Sequence, residues 1–202
     1  MKYSLPKLSA LISTILLTSL AFPAQSALVE IPTLSRKWQT FKNCEFVPKQ
    51  YNDGDSFAVK VGENEHVLRL AYIDTPESDV RFKDRNAEQA KYFGVEPAII
   101  PEWGKITVAK TAELLAKPFT VTTRWASAHG SSRKPRFYAV ITTADGKDLG
   151  ETLLSLGLAR IHGKGMNPPS GETQAAYHAK LEKIEAEAKK EKRGIWSKST
   201  AK

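Results

Sequence analysis

The chain has 202 residues, 41% hydrophobic and 26% charged, with 30 Lys and Arg against 22 Asp and Glu and a formal charge of +8. Its single cysteine, Cys44, excludes an intramolecular disulfide, and without a His or Cys cluster a zinc centre is disfavoured. The basic balance points to anionic partners, whether nucleic acid, anionic lipid or cell-wall polymer, which charge alone does not separate.

Residues 1–26 read as a secretory signal peptide. Lys2 and Lys7 give a positive start, 8–22 is apolar, and Ala24-Gln25-Ser26 fits a small-x-small cleavage site. The apolar run is short of the ~20 residues a spanning helix needs, and no later segment is long and apolar enough to span. The mature protein is therefore expected to be secreted or periplasmic, monomeric and without a membrane span. Removing the leader takes away two lysines and leaves +6. Residues 27–43 form an N-terminal arm, and 44–198 form one domain large enough for a real core. Cys44 to Val47 begins the first strand.

The next stretch carries the chemistry. Phe57, Val59 and Val61 alternate on one strand, 67–73 is a nearly continuous apolar run, and Gly62-Glu63-Asn64-Glu65 supplies a turn between them. A hairpin folding about Glu63 and Asn64 sets Asp55 opposite Tyr72, close to Asp74. Facing residues lie roughly 5 Å apart, so both carboxylates can reach one cation. Glu77 follows Asp74 closely, and Pro76 stiffens the chain between them. Arg69 interrupts the apolar run and needs the nearby acids or a bound anion as its partner. Asp-Gly and Asp-Thr-Pro are common turn-formers on their own. The ordered set of three acids and an arginine suggests more: a hard cation on oxygen ligands, calcium or magnesium, holding a phosphate.

Residues 78–85 are polar and basic, a loop that either reaches a polyanion or is simply solvated. A short helix is expected over 86–93, stopped by Gly94. A longer one over 102–116 offers Ile106, Ala109, Leu114 and Leu115 for packing. Residues 119–125 and 136–143 read as strands flanking a polar loop. Asp148 and Glu151 form a capping-box pattern for a helix carrying Leu149, Leu153, Leu154 and Leu156, with Gly157 as its C-cap. Residues 158–161 add a short strand. The last helix, 170–193, has a stripe of Tyr177, Leu181, Ile184 and Ala188 and an i,i+4 pair of Glu185 and Lys189. Ile195-Trp196 is expected to fold back as an apolar plug. This order suggests an α+β fold, a small barrel with helices at its side.

The chain resembles the staphylococcal-nuclease-like (thermonuclease) family. The residues that carry the resemblance are Asp53-Gly54-Asp55, Arg69-Leu70 leading to Ile73-Asp74-Thr75-Pro76-Glu77, Arg136, Ala144-Asp145-Gly146-Lys147, Leu156-Gly157-Leu158-Ala159, Lys189-Lys190-Glu191-Lys192 and Ile195-Trp196-Ser197. The resemblance implies a five-stranded OB-fold barrel with about three packed helices. It also implies a calcium-dependent phosphodiesterase that cleaves DNA and RNA and leaves 3′-phosphates. By the same resemblance Asp55, Asp74 and the Thr75 carbonyl hold the calcium, Glu77 is the general base, and Arg69 and Arg136 grip the scissile phosphate. Two family tyrosines are missing: Lys134-Pro135-Arg136 stands where Tyr-Gly-Arg is usual, and no tyrosine stands near Gly163. Arg133, Lys134 and Tyr138 are then the candidates for substrate contact. The segment between Glu77 and Arg136 is longer than in short members, with the excess around 84–104. A non-catalytic OB-fold nucleic-acid-binding module is the alternative, and an exported envelope protein binding anionic polymers is a third reading.

Overall fold

A computed structural model describes Met1 and residues 37–128, 134–163 and 166–200. Residues 2–26 of the expected signal peptide, residues 27–36 of the arm and Arg133 lie outside the described residues.

Five strands close a barrel in the order β1 (Gln39–Phe46), β2 (Ser56–Val61), β3 (Asn64–Leu70), β6 (Arg136–Thr142) and β5 (Phe119–Ser127). Only the β3–β6 pair is parallel. A two-stranded sheet joins β4 (Ile73–Asp74) to β7 (Arg160–Ile161). The helices are α1 (Lys83–Phe93), α2 (Ile99–Leu114), α3 (Leu149–Ser155) and α4 (Gln174–Lys190), followed by a 3-10 turn at Gly194–Lys198. The OB-type barrel is as expected. Its helices number four among the described residues, because the long segment after Glu77 folds as two.

Phe57, Val59, Leu68, Val121, Ala139 and Ile141 fill the barrel, and Leu149, Leu153 and Leu181 cover its end. Asp148 caps α3 by accepting the Glu151 N–H at 2.9 Å, as the capping pattern requires. A second, smaller core joins Ala90, Phe93, Ile100, Ala188, Ile195 and Trp196. It is the apolar plug expected of Ile195-Trp196, and it anchors α1 and α2 against the C-terminal turn.

Two local departures set up the site. The β2–β3 register pairs Val61 with Asn64 and Ser56 with Arg69, so the hairpin turns at Gly62-Glu63, not at Glu63-Asn64. Gly62 has φ +60, which a two-residue turn demands and a glycine adopts without strain. Asp55 therefore faces Leu70, whose N–H donates to the Asp55 carbonyl at 2.8 Å, and not Tyr72. The apolar run is also not one strand: β3 stops at Leu70, and Tyr72 has φ +68. That kink sends Ile73 and Asp74 into the β4–β7 pair.

Candidate active site

The kink, and not cross-strand opposition, brings Asp74 beside Asp55. Both are 1% exposed. Arg69, near the end of β3, spans them: its two terminal nitrogens lie 2.9 Å from Asp55 Oδ1 and 2.9 Å from Asp74 Oδ1. The Thr75 N–H donates to Asp55 Oδ2 at 3.0 Å. One arginine and one backbone amide thus fix the expected ligand pair before any ligand arrives.

Asp74 has more partners than the sequence suggested. Arg160 on β7 donates from Nε to Asp74 Oδ2 at 2.9 Å and grips Glu88 of α1 with both terminal nitrogens at 2.6 Å. Arg85 of α1 also donates to Asp74 Oδ1. Burial alone would raise the Asp74 carboxyl, but Arg85, Arg160 and Arg69 outweigh it and hold the group below the usual range. Gln89 of α1, fully buried, completes the shell with an amide hydrogen bond to Asp74.

None of these α1 and β7 residues was singled out from sequence. One signal was present: the buried stripe of α1 is Asn86, Gln89, Ala90 and Phe93, so two amides share a face that otherwise packs into the core. The second helix packs as expected only at its C-terminal end, where Leu115 joins the main core and Leu114 packs against it. Its buried positions are Ile100, Pro101, Gly104, Thr107 and Thr111, whereas Ile106 is 42% exposed. Small residues are needed there because the helix lies directly on the loop that carries Glu77. A Cβ on Gly104 would stand 2.5 Å from the Glu77 carbonyl, and one on Gly54 would stand 2.7 Å from Thr107 Cγ2.

A cleft of about 870 Å³ opens over the acids, with Asp53, Arg69, Glu77, Arg136, Tyr51 and Phe82 in its wall. Arg136 forms no ion pair among the described residues. The single hydrogen bond its side chain makes to a described residue is a long one to Ser56 at 3.5 Å, and its Nε is buried without a partner. A guanidinium held so is set to receive an anion. Glu77 keeps one local contact, accepting the Asp79 N–H at 3.2 Å, and burial pushes its carboxyl up. Lys134 sits over the Tyr51 ring, 4.3 Å from its centroid. Tyr138 is the register partner of Arg69 and is half-buried. Neither lines the cleft, whose exposed rings are Tyr51 and Phe82.

Among the described residues no three acidic, His or Cys side chains converge as a ready-made metal cage. The donor chemistry nonetheless fits a hard cation, because two carboxylates and a carbonyl need only water to complete an oxygen shell. Burial, with Asp55 and Glu77 nearby, pushes Asp53 up to about 7, and its Oδ1 is buried without a partner. Asp55 is also pushed up, by burial first, despite Arg69.

A closed OB-type barrel thus carries buried acids at one end of its β2–β3 hairpin, with the open Arg136 of the neighbouring β6 in the same cleft, an arrangement suited to an anionic ligand. The model of the staphylococcal nuclease homologues matches residues 67–198, more than half of the sequence, and the chain belongs to that family. It is a nuclease-family protein, and nucleic acid is the substrate class this implies. No curated protein matches the chain. Asp53 and Asp55 precede the matched span, so the place of Asp55 in the site rests on its bonds to Arg69 and Thr75, and that of Asp53 on the shared cleft.

Proposed function

We propose that this chain is an exported, calcium-dependent nuclease that hydrolyses phosphodiester bonds of DNA and RNA and leaves 3′-phosphates. The observation that carries the reading is the pairing, in one cleft, of Arg136 with its unpartnered Nε and Glu77 with its raised carboxyl. Asp55, Asp74 and the Thr75 carbonyl would hold the calcium, which when bound neutralises phosphate charge and orients the nucleophile.

The chain's own groups do the rest. Glu77 takes a proton from the attacking water as the new P–O bond forms. The bond to the 5′-oxygen breaks, that oxygen takes a proton from solvent, and the phosphate stays on the 3′ side. Arg136 stabilises the charge that builds on the non-bridging oxygens. Arg69 has both terminal nitrogens committed to Asp55 and Asp74, so phosphate contact draws first on Arg136. The leader 1–26 supports export, and among the described residues no helix is long and apolar enough to cross a membrane.

The test is digestion of single-stranded DNA, duplex DNA and RNA by the purified chain with calcium, with magnesium and with a calcium chelator. Calcium-restored cleavage with 3′-phosphate ends is expected. Binding without turnover on every substrate would replace the enzyme with a nucleic-acid-binding module.

A further inference from the structure

We propose that Gln89 is a positioning residue that locks the catalytic loop 74–77, an inference that rests on the nuclease reading of the same site. Its side-chain amide makes three hydrogen bonds, all to that loop. Nε2 donates to Asp74 Oδ2 at 2.9 Å and to the Thr75 carbonyl at 2.8 Å, and Oε1 accepts the Glu77 N–H at 2.7 Å. The amide orientation is dictated by its surroundings. Flipped, Nε2 would face the Glu77 N–H and Oε1 would face two acceptors.

Arg69, Arg85 and Arg160 also hold the Asp74 side chain, but the backbone after Asp74 has few other anchors. Pro76 has no N–H to offer, the Thr75 N–H goes to Asp55, and the Glu77 N–H goes to Gln89. Two side chains therefore account for every backbone N–H from Thr75 to Glu77. Asp55 holds the metal end and Gln89 holds the base end. Gln89 in turn touches both expected oxygen donors of the loop, the Asp74 carboxylate and the Thr75 carbonyl. A carbonyl oxygen has two lone pairs, so the bond from Gln89 leaves the second for a cation and fixes its direction.

Gln89 can hold this position because its helix is rigid. Ala90, the next residue, and Phe93, one turn on, are buried at 3% and 0% in the small core beside Ile195 and Trp196. Gln89 makes no bond to the Glu77 carboxylate itself. It sets the backbone from which Glu77 projects and leaves the carboxylate available for its proton.

The test compares the full chain with Gln89→Met, close in size but apolar, and Gln89→Asn, which keeps an amide but cannot reach the loop and admits water. Folding is followed by circular dichroism. Calcium affinity is read from the thermal midpoint against calcium alone, without nucleic acid. kcat and KM are measured on single-stranded DNA. Both variants are expected to need about 10-fold more calcium, and to lose about 10–100-fold in kcat with KM nearly unchanged. Gln89→Asn gives this pattern even where Gln89→Met fails to fold. Folded variants with wild-type calcium midpoint and kcat would overturn the assignment and reduce Gln89 to packing. A rise in KM alone would overturn it too, since the loop would then serve binding only. A wild-type chain that neither cleaves nor responds to calcium would overturn the nuclease reading itself.

Discussion

Gly104→Ala tests how tightly α2 supports the catalytic loop. On helix propensity alone the substitution stabilises, by up to ~1 kcal/mol. The added Cβ, however, would lie 2.5 Å from the Glu77 carbonyl oxygen and 2.6 Å from Ser78 Cα. Both are backbone atoms, so no side chain can swing aside. Ordinary carbon–oxygen contacts fall near 3.3–3.6 Å, so helix and loop must part by about 1 Å. Overpacking of this kind costs about 1–3 kcal/mol, which exceeds the propensity gain. A displacement of ~1 Å at the base costs on the order of 100-fold in rate. Gly104→Ala is therefore expected to lower the thermal midpoint by a few degrees, at about 2–4 °C per kcal/mol for a chain of this size. It should also lower kcat by about 10–100-fold at saturating calcium. Circular dichroism melting and initial rates on single-stranded DNA measure both. A variant as stable as wild type with full kcat would refute the close packing of α2 on the loop.

Arg160→Met removes a buried guanidinium shared by Asp74 and Glu88. It is expected to cost about 3 kcal/mol in urea unfolding, the low end for a broken buried pair because Asp74 keeps Arg69 and Arg85. The depressed Asp74 carboxyl contributes stability above its unfolded value and loses it as pH falls through the folded one, so the penalty should shrink in acid. Asp148→Asn should act in the opposite sense. Burial pushes Asp148 up to about 6 from 3.8, so its contribution is full below the unfolded value and is lost as pH rises to about 6. Asparagine keeps an oxygen for the Glu151 N–H without the charge. Denaturant melts should show a gain of about 1–3 kcal/mol at pH 7.5 that vanishes near pH 4. Arg136→Lys should leave the unfolding free energy within about 0.5 kcal/mol, since it breaks no ion pair among the described residues, but lower kcat/KM by about 100-fold.

The acid–arginine set was legible because its spacing served no ordinary turn, and the structure gathers Asp55, Asp74, Glu77, Arg69 and Arg136 around one cleft. The α3 cap and the Ile195-Trp196 plug were legible for similar local reasons. Register was not: it hinged on which residue took the positive-φ turn position, and Gly62 did so ahead of Glu63. The kink at Tyr72 left no mark in the apolar run, because residues on either side of it are buried alike. The face of α2 was only partly found by looking for large apolar side chains: Leu114 and Leu115 pack into the main core as expected, but Ile106 does not. A helix that lies on a loop needs glycine and threonine instead, and Ile106 is left outside. Arg160 and Gln89 were missed for a related reason. A buried charge or amide is intelligible only with its partners, and those lie far off in sequence.

The most direct test of the central claim is cleavage and binding of single-stranded DNA by Glu77→Gln beside wild type, in calcium and in chelator. The isosteric amide cannot accept the proton but preserves the shape of the loop. Wild type should cleave only with calcium, and the variant should bind DNA as tightly while its kcat falls by about 100-fold or more. A variant that cleaves at the wild-type rate would contradict the assignment of Glu77 as the base, and a folded wild type that binds but never cleaves would contradict the nuclease account.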